Sequence, residues 1–185
     1  MVTIFLIHGT YGNPNENWFP WIKSQLKKIG CHVVTPTFPT PENQSLENWN
    51  EIFDKYQKEI DENTIFVGHS LGVAFILSIL EKNNVQVRAS FFVSGFIGDI
   101  GNTIFDRINH SFVNKKFNWI KIRKNCNQFY LFHSDNDPYV SLEKGRELAK
   151  NLETELNLVH NAGHFNKKSG YDEFNLLLDK IKKEL

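Results

Sequence analysis

Thr64-Ile65-Phe66-Val67-Gly68-His69-Ser70-Leu71-Gly72-Val73-Ala74-Phe75-Ile76-Leu77-Ser78-Ile79-Leu80 is the stretch on which the reading of this chain turns. Its first four residues are β-prone and mostly apolar on consecutive positions. Its last eight are almost all apolar, contain no helix breaker and suit a buried helix. Between them stands a G-x-S-x-G pentapeptide, Gly68 to Gly72, with no room for a loop. A strand that passes so quickly into a helix makes a sharp turn, and glycines on either side of the turn avoid Cβ clashes between the two elements. Ser70 then stands at the tip with its hydroxyl exposed, at a helix N-terminus whose dipole favours developing negative charge. The pentapeptide alone is a weak signal, and the flanking strand and helix are what give it weight. The plain alternative is a glycine-lined turn with a serine N-cap.

Working outward, short apolar runs alternate with segments of helical periodicity. Strands are expected at Val2–Ile7, His32–Thr35, Thr64–Gly68, Ala89–Ser94, Phe129–His133 and Leu156–His160, and helices at 18–29, 45–60, 71–82, 141–151 and 170–184. Ser169-Gly170-Tyr171-Asp172 suggests a capping box for the last helix. Runs such as Ile65-Phe66-Val67 and Phe91-Phe92-Val93 are apolar without alternation, which means burial on both faces of a parallel sheet covered by helices. The alternation predicts a single α/β domain over residues 1–185, a doubly wound sheet with ligands bound at the carboxyl ends of its strands. One connection, 96–127, is too long for a simple crossover. It carries Phe105, Phe112, Phe117 and Trp119, and it reads equally as a lid or pocket wall and as a covering helix with a loose approach.

Composition narrows the function. Lys plus Arg and Asp plus Glu are 21 each, so the formal net charge is zero, which argues against a nucleic-acid or anionic-membrane partner. Cys31 and Cys126 form no C-x-x-C pair and read as reduced thiols. Residues 1–8 lack a basic n-region and a small-residue cleavage site, and no apolar run approaches membrane-spanning length, so a cytoplasmic location is expected. No H-E-x-x-H, P-loop or G-x-G-x-x-G occurs, so neither a metal nor a cofactor is expected.

A serine hydroxyl needs a base. On this kind of turn the partners follow the serine in the order acid, then histidine. Of the histidines beyond Ser70, His164 lies in Ala162-Gly163-His164-Phe165, a loop leaving the carboxyl edge of the sheet on the same side as Ser70. His160 falls at the end of a strand, where a packed structural histidine is expected. The acid belongs on the loop Ser134-Asp135-Asn136-Asp137-Pro138. There Asp137 lies deeper and next to a rigid proline, while Asp135 reads as a turn residue or hydrogen-bond partner; spacing separates them only narrowly. The N–H groups of Leu71, which follows the serine, and of Thr10, in His8-Gly9-Thr10-Tyr11-Gly12, are the expected oxyanion donors. Tyr11, Trp18, Phe19 and Phe165 are candidate substrate contacts, although core packing is the ordinary role of Trp18 and Phe19.

These motifs together resemble the small serine hydrolase family that includes retinoblastoma-binding protein nine, within the α/β-hydrolase superfamily. The residues that carry the resemblance are His8-Gly9, Trp18-Phe19-Pro20-Trp21-Ile22, Gly68-His69-Ser70-Leu71-Gly72, Val93-Ser94-Gly95-Phe96, Ser134-Asp135-Asn136-Asp137 and Gly163-His164-Phe165. The resemblance implies a compact sheet of six mainly parallel strands with helices on both faces, and a triad of Ser70, Asp137 and His164. It also implies hydrolysis of a small carboxylic ester or amide through an acyl-enzyme. A silent interaction module and an acyltransferase or thioesterase on the same triad are the rival readings. The L-x-C-x-E motif of retinoblastoma-binding relatives is missing from the matching stretch, Lys58-Glu59-Ile60-Asp61-Glu62-Asn63, so that partner is not expected.

Overall fold

Ile4 and Leu6 point into one hydrophobic core, and Phe5 and Ile7 into another. The same parity divides Ile65 and Val67 from Phe66, and Phe91 and Val93 from Phe92. Side chains alternate across a strand, so apolar residues at every position force the sheet to be covered on both faces. The computed structural model describes all 185 residues, and the strands are β1 Thr3–Ile7, β2 His32–Val34, β3 Ile65–His69, β4 Val87–Val93, β5 Cys126–Ser134 and β6 Leu156–Val159. They form one sheet in the order β2-β1-β3-β4-β5-β6, with all five pairings parallel.

Two helices, α1 Phe19–Lys28 and α7 Asn175–Lys182, cover the Ile4 face. The Phe5 face is covered by α2 Leu46–Phe53, α3 Leu71–Lys82, α4 Thr103–Val113, α5 Trp119–Lys124 and α6 Leu142–Leu152. Every residue of α3 from Leu71 to Leu80 is buried, which explains why its sequence is apolar all round rather than along one stripe. No helix is long and apolar enough to cross a membrane.

The chain runs outward from β1 to β2 and then returns to place β3 on β1's other side, so the winding direction reverses between β1 and β3. Ligands of open parallel sheets bind outside the carboxyl ends at such a reversal. The loops after β1 and β3 leave the sheet there, and the turn after β3 holds Ser70.

Three sequence expectations are corrected. The helix expected over 45–60 is α2 followed by a 3-10 segment, Asp54–Glu59. The helix expected from 170 starts at Asn175, and Ser169 does not cap it. The Ser169 hydroxyl is bonded to Asn166 Oδ1, and Gly170 turns the chain in the left-handed region (φ 85°). His160 is not packed: it lies one residue beyond β6 with its side chain 73% exposed.

The close approach of α3 to β1 depends on Gly72. A Cβ there would lie 2.4 Å from the Ile7 carbonyl oxygen and 2.7 Å from that of His8, both backbone atoms with no freedom to rotate away. Gly72→Ala is therefore expected to destabilise the fold by about 1–3 kcal/mol, the usual cost of overpacking. Thermal melts against wild type check this; an unchanged melting temperature would show that α3 and β1 can separate without cost.

Candidate active site

Ser70 takes φ 55° and ψ −123°, a conformation rarely open to a residue with a side chain. It is held there because its own N–H donates to the Val93 carbonyl (2.9 Å) while its carbonyl accepts from Val73 (3.1 Å). The loop after β1 presses directly on it, since a Cβ on Gly9 would lie 2.8 Å from that of Ser70. His8 fixes this loop: its Nε2 accepts from Phe38 N–H (3.1 Å), so the proton sits on Nδ1, which donates to the Gly9 carbonyl (2.9 Å). Burial lowers the His8 pKa and keeps the ring neutral in this role. The N–H groups of Leu71 and Thr10 have no acceptor within the protein. That of Leu71 belongs to the first turn of α3, where no intrahelical partner exists.

A second group of loops, after β4, β5 and β6, builds a buried acid. The Asp137 side chain has no solvent exposure. Its Oδ2 accepts from His164 Nδ1 (2.7 Å) and Ser94 Oγ (2.8 Å), and its Oδ1 from the N–H groups of Tyr139 (2.9 Å) and Val140 (3.1 Å). Burial alone would raise its pKa. The hydrogen bond and charge of His164 and the two backbone donors outweigh burial and hold the carboxyl below its ordinary range.

The loop carrying His164 is tied to the loop carrying Asp137 by three consecutive backbone donors. Asn161 N–H donates to Asp135 Oδ1 (2.9 Å), Ala162 N–H to Ser134 Oγ (2.9 Å) and Gly163 N–H to Asn136 Oδ1 (2.8 Å). Two further contacts secure the far side. His69 Nε2 donates to the His164 carbonyl (2.8 Å), and Trp18 Nε1 to the Phe165 carbonyl (3.0 Å). Complete burial, with His164 alongside, pushes the His69 pKa down to about 3, so this ring stays neutral beside His164.

Ser70 and His164 line one cleft of about 780 Å³. The Ser70 hydroxyl makes no hydrogen bond within the protein, and His164 Nε2 is likewise free of partners. Such contacts commonly tighten only when substrate is bound. His160 instead pairs with Asp135 (2.5 Å) away from the cleft. Of the aromatic candidates, Tyr11 stands half-exposed at the rim against Phe105, and Phe19 reaches the cleft from the core. Trp18 and Phe165 do not line the cleft: both are completely buried in the core under α1 and α7, where Trp18 braces the chain just past His164. The segment 96–127 is anchored by buried Phe112, Val113 and Ile122, and it walls the cleft with Phe96, Phe105 and Asn109.

Ser94, Ser134 and Asn136 carried the resemblance but were given no role of their own, although short polar side chains directly after apolar strands are the residue types that bond to neighbouring loops. Sequence reasoning passed over Asn109, for which periodicity gives no signal.

Comparison with known proteins agrees with this architecture. A sequence model of the family described as serine hydrolase matches residues 4–183. YdeN of Bacillus subtilis is 28% identical over 178 residues, covering 95% of this chain and 92% of YdeN. The serine hydrolase RBBP9 of Rattus norvegicus is 27% identical over 151 residues, covering 81% of this chain and 78% of that protein. The crystal structure of the B. subtilis ydeN gene product superposes with a TM-score of 0.93 at 26% identity, covering 100% of this chain and 98% of that one.

The lowered pKa of Asp137 links its ionisation to stability. A carboxyl more acidic in the folded than in the unfolded chain contributes stability above the unfolded pKa and loses it as pH falls through the folded value. The advantage of wild type over Asp137→Asn in melting temperature is therefore expected to be full at neutral pH and to shrink as pH falls below the unfolded value of 3.8. A gap that stays constant from pH 7 to 2 would mean that Asp137 gains nothing from being ionised.

Proposed function

The chain belongs to the serine hydrolase family, and from that premise we propose that it cleaves small carboxylic esters or amides by acyl transfer through Ser70. His164 acts as general base and Asp137 orients it. The observation that carries the reading is the 2.7 Å contact of His164 Nδ1 with a carboxylate sealed from solvent, in the cleft that Ser70 lines. Asp137 accepts a hydrogen bond from Nδ1–H, which leaves the lone pair on Nε2 for the serine hydroxyl.

His164 Nε2 takes the Ser70 proton as Oγ attacks the carbonyl carbon. The carbonyl π pair moves onto oxygen, and the N–H groups of Leu71 and Thr10 stabilise that oxyanion. Each such donor is worth roughly 3–4 kcal/mol in the transition state. The tetrahedral intermediate collapses, the C–O or C–N bond breaks, and the imidazolium returns its proton to the leaving group. Water, deprotonated by the same nitrogen, then attacks the acyl-enzyme, and the second intermediate releases the carboxylic acid and restores Ser70. Asp137 stabilises the imidazolium at both stages. The chain supplies every proton transfer itself, and the substrate is a small molecule.

Intact mass after incubation with a fluorophosphonate tests the reading. One adduct is expected on wild type and none on Ser70→Ala. Folded wild type that takes no adduct would favour a catalytically silent module on this fold. The choice of acid is checked by kcat/KM on an aryl ester. Asp137→Asn is expected to lose roughly three to four orders of magnitude. Asp135→Asn should lose far less, because asparagine keeps an oxygen for the Asn161 N–H. Equal losses would remove Asp137 from its role. The base is checked in the same assay: His164→Ala is expected to lose orders of magnitude in kcat/KM, and unchanged turnover would remove His164 from its role.

A further inference from the structure

We propose that the side-chain amide of Asn109 binds substrate: its Nδ2–H donates to an oxygen of the acyl group, selecting acyl chains that carry an acceptor oxygen beyond the scissile carbonyl. The proposal rests on the hydrolase reading and names the class of acyl group that the site prefers.

Asn109 lies on α4 and is 2% exposed, yet it is among the residues lining the cleft. Its Oδ1 is fully engaged. It accepts from Thr10 Oγ1 (2.6 Å) and from Gln44 Nε2 (2.7 Å). The orientation of the amide follows from the chain of bonds behind it. Tyr11 N–H donates to Thr40 Oγ1 (2.7 Å), whose own proton goes to Gln44 Oε1 (2.5 Å). Gln44 Nε2 is thereby fixed as the donor, and it also serves the Ile108 carbonyl (3.1 Å). A flipped Asn109 would set its NH₂ against that donor. The oxygen of Asn109 must therefore face Gln44, and its Nδ2 faces away.

Nδ2 has no acceptor in the protein. Asn83 Nδ2 and Arg88 Nε are the side-chain polar atoms that lack partners while sealed from solvent, and Asn109 Nδ2 is not among them. It is an unpaired donor that is not sealed from solvent, on a residue that lines the cleft. Buried polar groups are ordinarily paired, so an oriented donor left open on a cleft points to a ligand acceptor. It is placed beside the reacting centre, because its Oδ1 holds the side chain of Thr10, whose N–H is the proposed second oxyanion donor.

The surroundings indicate what else the acyl group contains. Phe105 precedes Asn109 by one helical turn and so shares its face of α4. Its ring meets Tyr11 edge-on (5.8 Å, 90°) and lies 6.1 Å from Tyr139, which is itself 5.1 Å from the ring of His164. On the α4 side the cleft thus offers an aromatic wall with the Asn109 donor beside it, which suits an aryl-bearing acyl chain with an ether, hydroxyl or carbonyl oxygen.

Matched 4-nitrophenyl esters test this. Phenoxyacetate is paired with 3-phenylpropanoate, and 3-phenoxypropanoate with 4-phenylbutanoate, so that each pair differs by oxygen for methylene at one position. The readout is the oxygen-to-methylene ratio of kcat/KM in wild type divided by that ratio in the variant, which cancels intrinsic reactivity. In Asn109→Leu this quotient is expected to reach about threefold to tenfold for at least one pair, the range of one neutral hydrogen bond. Asn109→Asp keeps an acceptor for Thr10 and Gln44 but replaces the donor with oxygen, so its quotient should be at least as large. It also carries the test if the leucine variant fails to fold. Fluorophosphonate labelling of Ser70 identifies variants whose site is intact. A labelled, active variant that is slower on both members of each pair equally would assign Asn109 to holding Thr10 and overturn the proposal. Wild type with neither labelling nor turnover would overturn the hydrolase reading and the subsite with it.

Discussion

A carboxylate removed from water must be met by donors on every side, and Asp137 imposes that demand on this structure. An ionised group in an apolar interior is affordable only when it is paired and hydrogen-bonded. Its four donors come from three places: Ser94 after β4, the N–H groups of Tyr139 and Val140 after β5, and His164 after β6. These segments are far apart in sequence. They meet because β4, β5 and β6 are adjacent and parallel, so all three chains leave the sheet at the same edge. Ser94 takes φ 48° to deliver its hydroxyl, and Asp135, Ser134 and Asn136 hold the histidine loop down. The buried carboxylate is thus a constraint that fixes the position of the His164 ring.

The other half of the site comes from β1 and β3 and obeys a steric constraint. Gly72 lets α3 touch the end of β1, and Ser70 is bent into its unusual conformation at that junction. The contact also carries the loop with Gly9 and Thr10 up against the serine. His69 joins the halves, standing beside Ser70 in the chain and donating to the His164 carbonyl. Because its pKa lies near 3, it remains a neutral donor where His164 would have to gain and lose a proton. α4 walls the cleft, and the Thr10–Gln44–Asn109 hydrogen bonds tie that wall to the loop after β1.

What the sequence made legible was whatever leaves a local trace. Ile65-Phe66-Val67 announces a strand buried on both faces, and Gly68 to Gly72 announces a turn that only glycines can flank. That His164 would share a cleft with Ser70 was legible because a short loop after a strand at the same edge has few alternatives. The separation of Asp137 from Asp135 was not legible from spacing, since both are turn-forming residues two positions apart; the resemblance favoured Asp137, and in the fold Asp137 pairs with His164 while Asp135 pairs with His160. Trp18 and Phe165 look like pocket residues to a reader of composition, but an indole donating to a main-chain carbonyl in a core looks the same in sequence as one that faces a ligand. Asn109 left no trace at all, because its importance comes from Gln44 and Thr10, which are remote in the chain. The capping box at Ser169 failed for a similar reason: Asn166 had already captured the hydroxyl.

The most direct test of the account is a crystal structure of the fluorophosphonate adduct on Ser70, which mimics the tetrahedral intermediate. The account predicts a phosphonyl oxygen within about 2.7–3.1 Å of both the Leu71 and the Thr10 nitrogens, the range of working oxyanion donors. It also predicts His164 Nε2 beside Ser70 Oγ, with the contact from Nδ1 to Asp137 intact. An adduct whose phosphonyl oxygen faces solvent, or a His164 turned away from the serine, would contradict it.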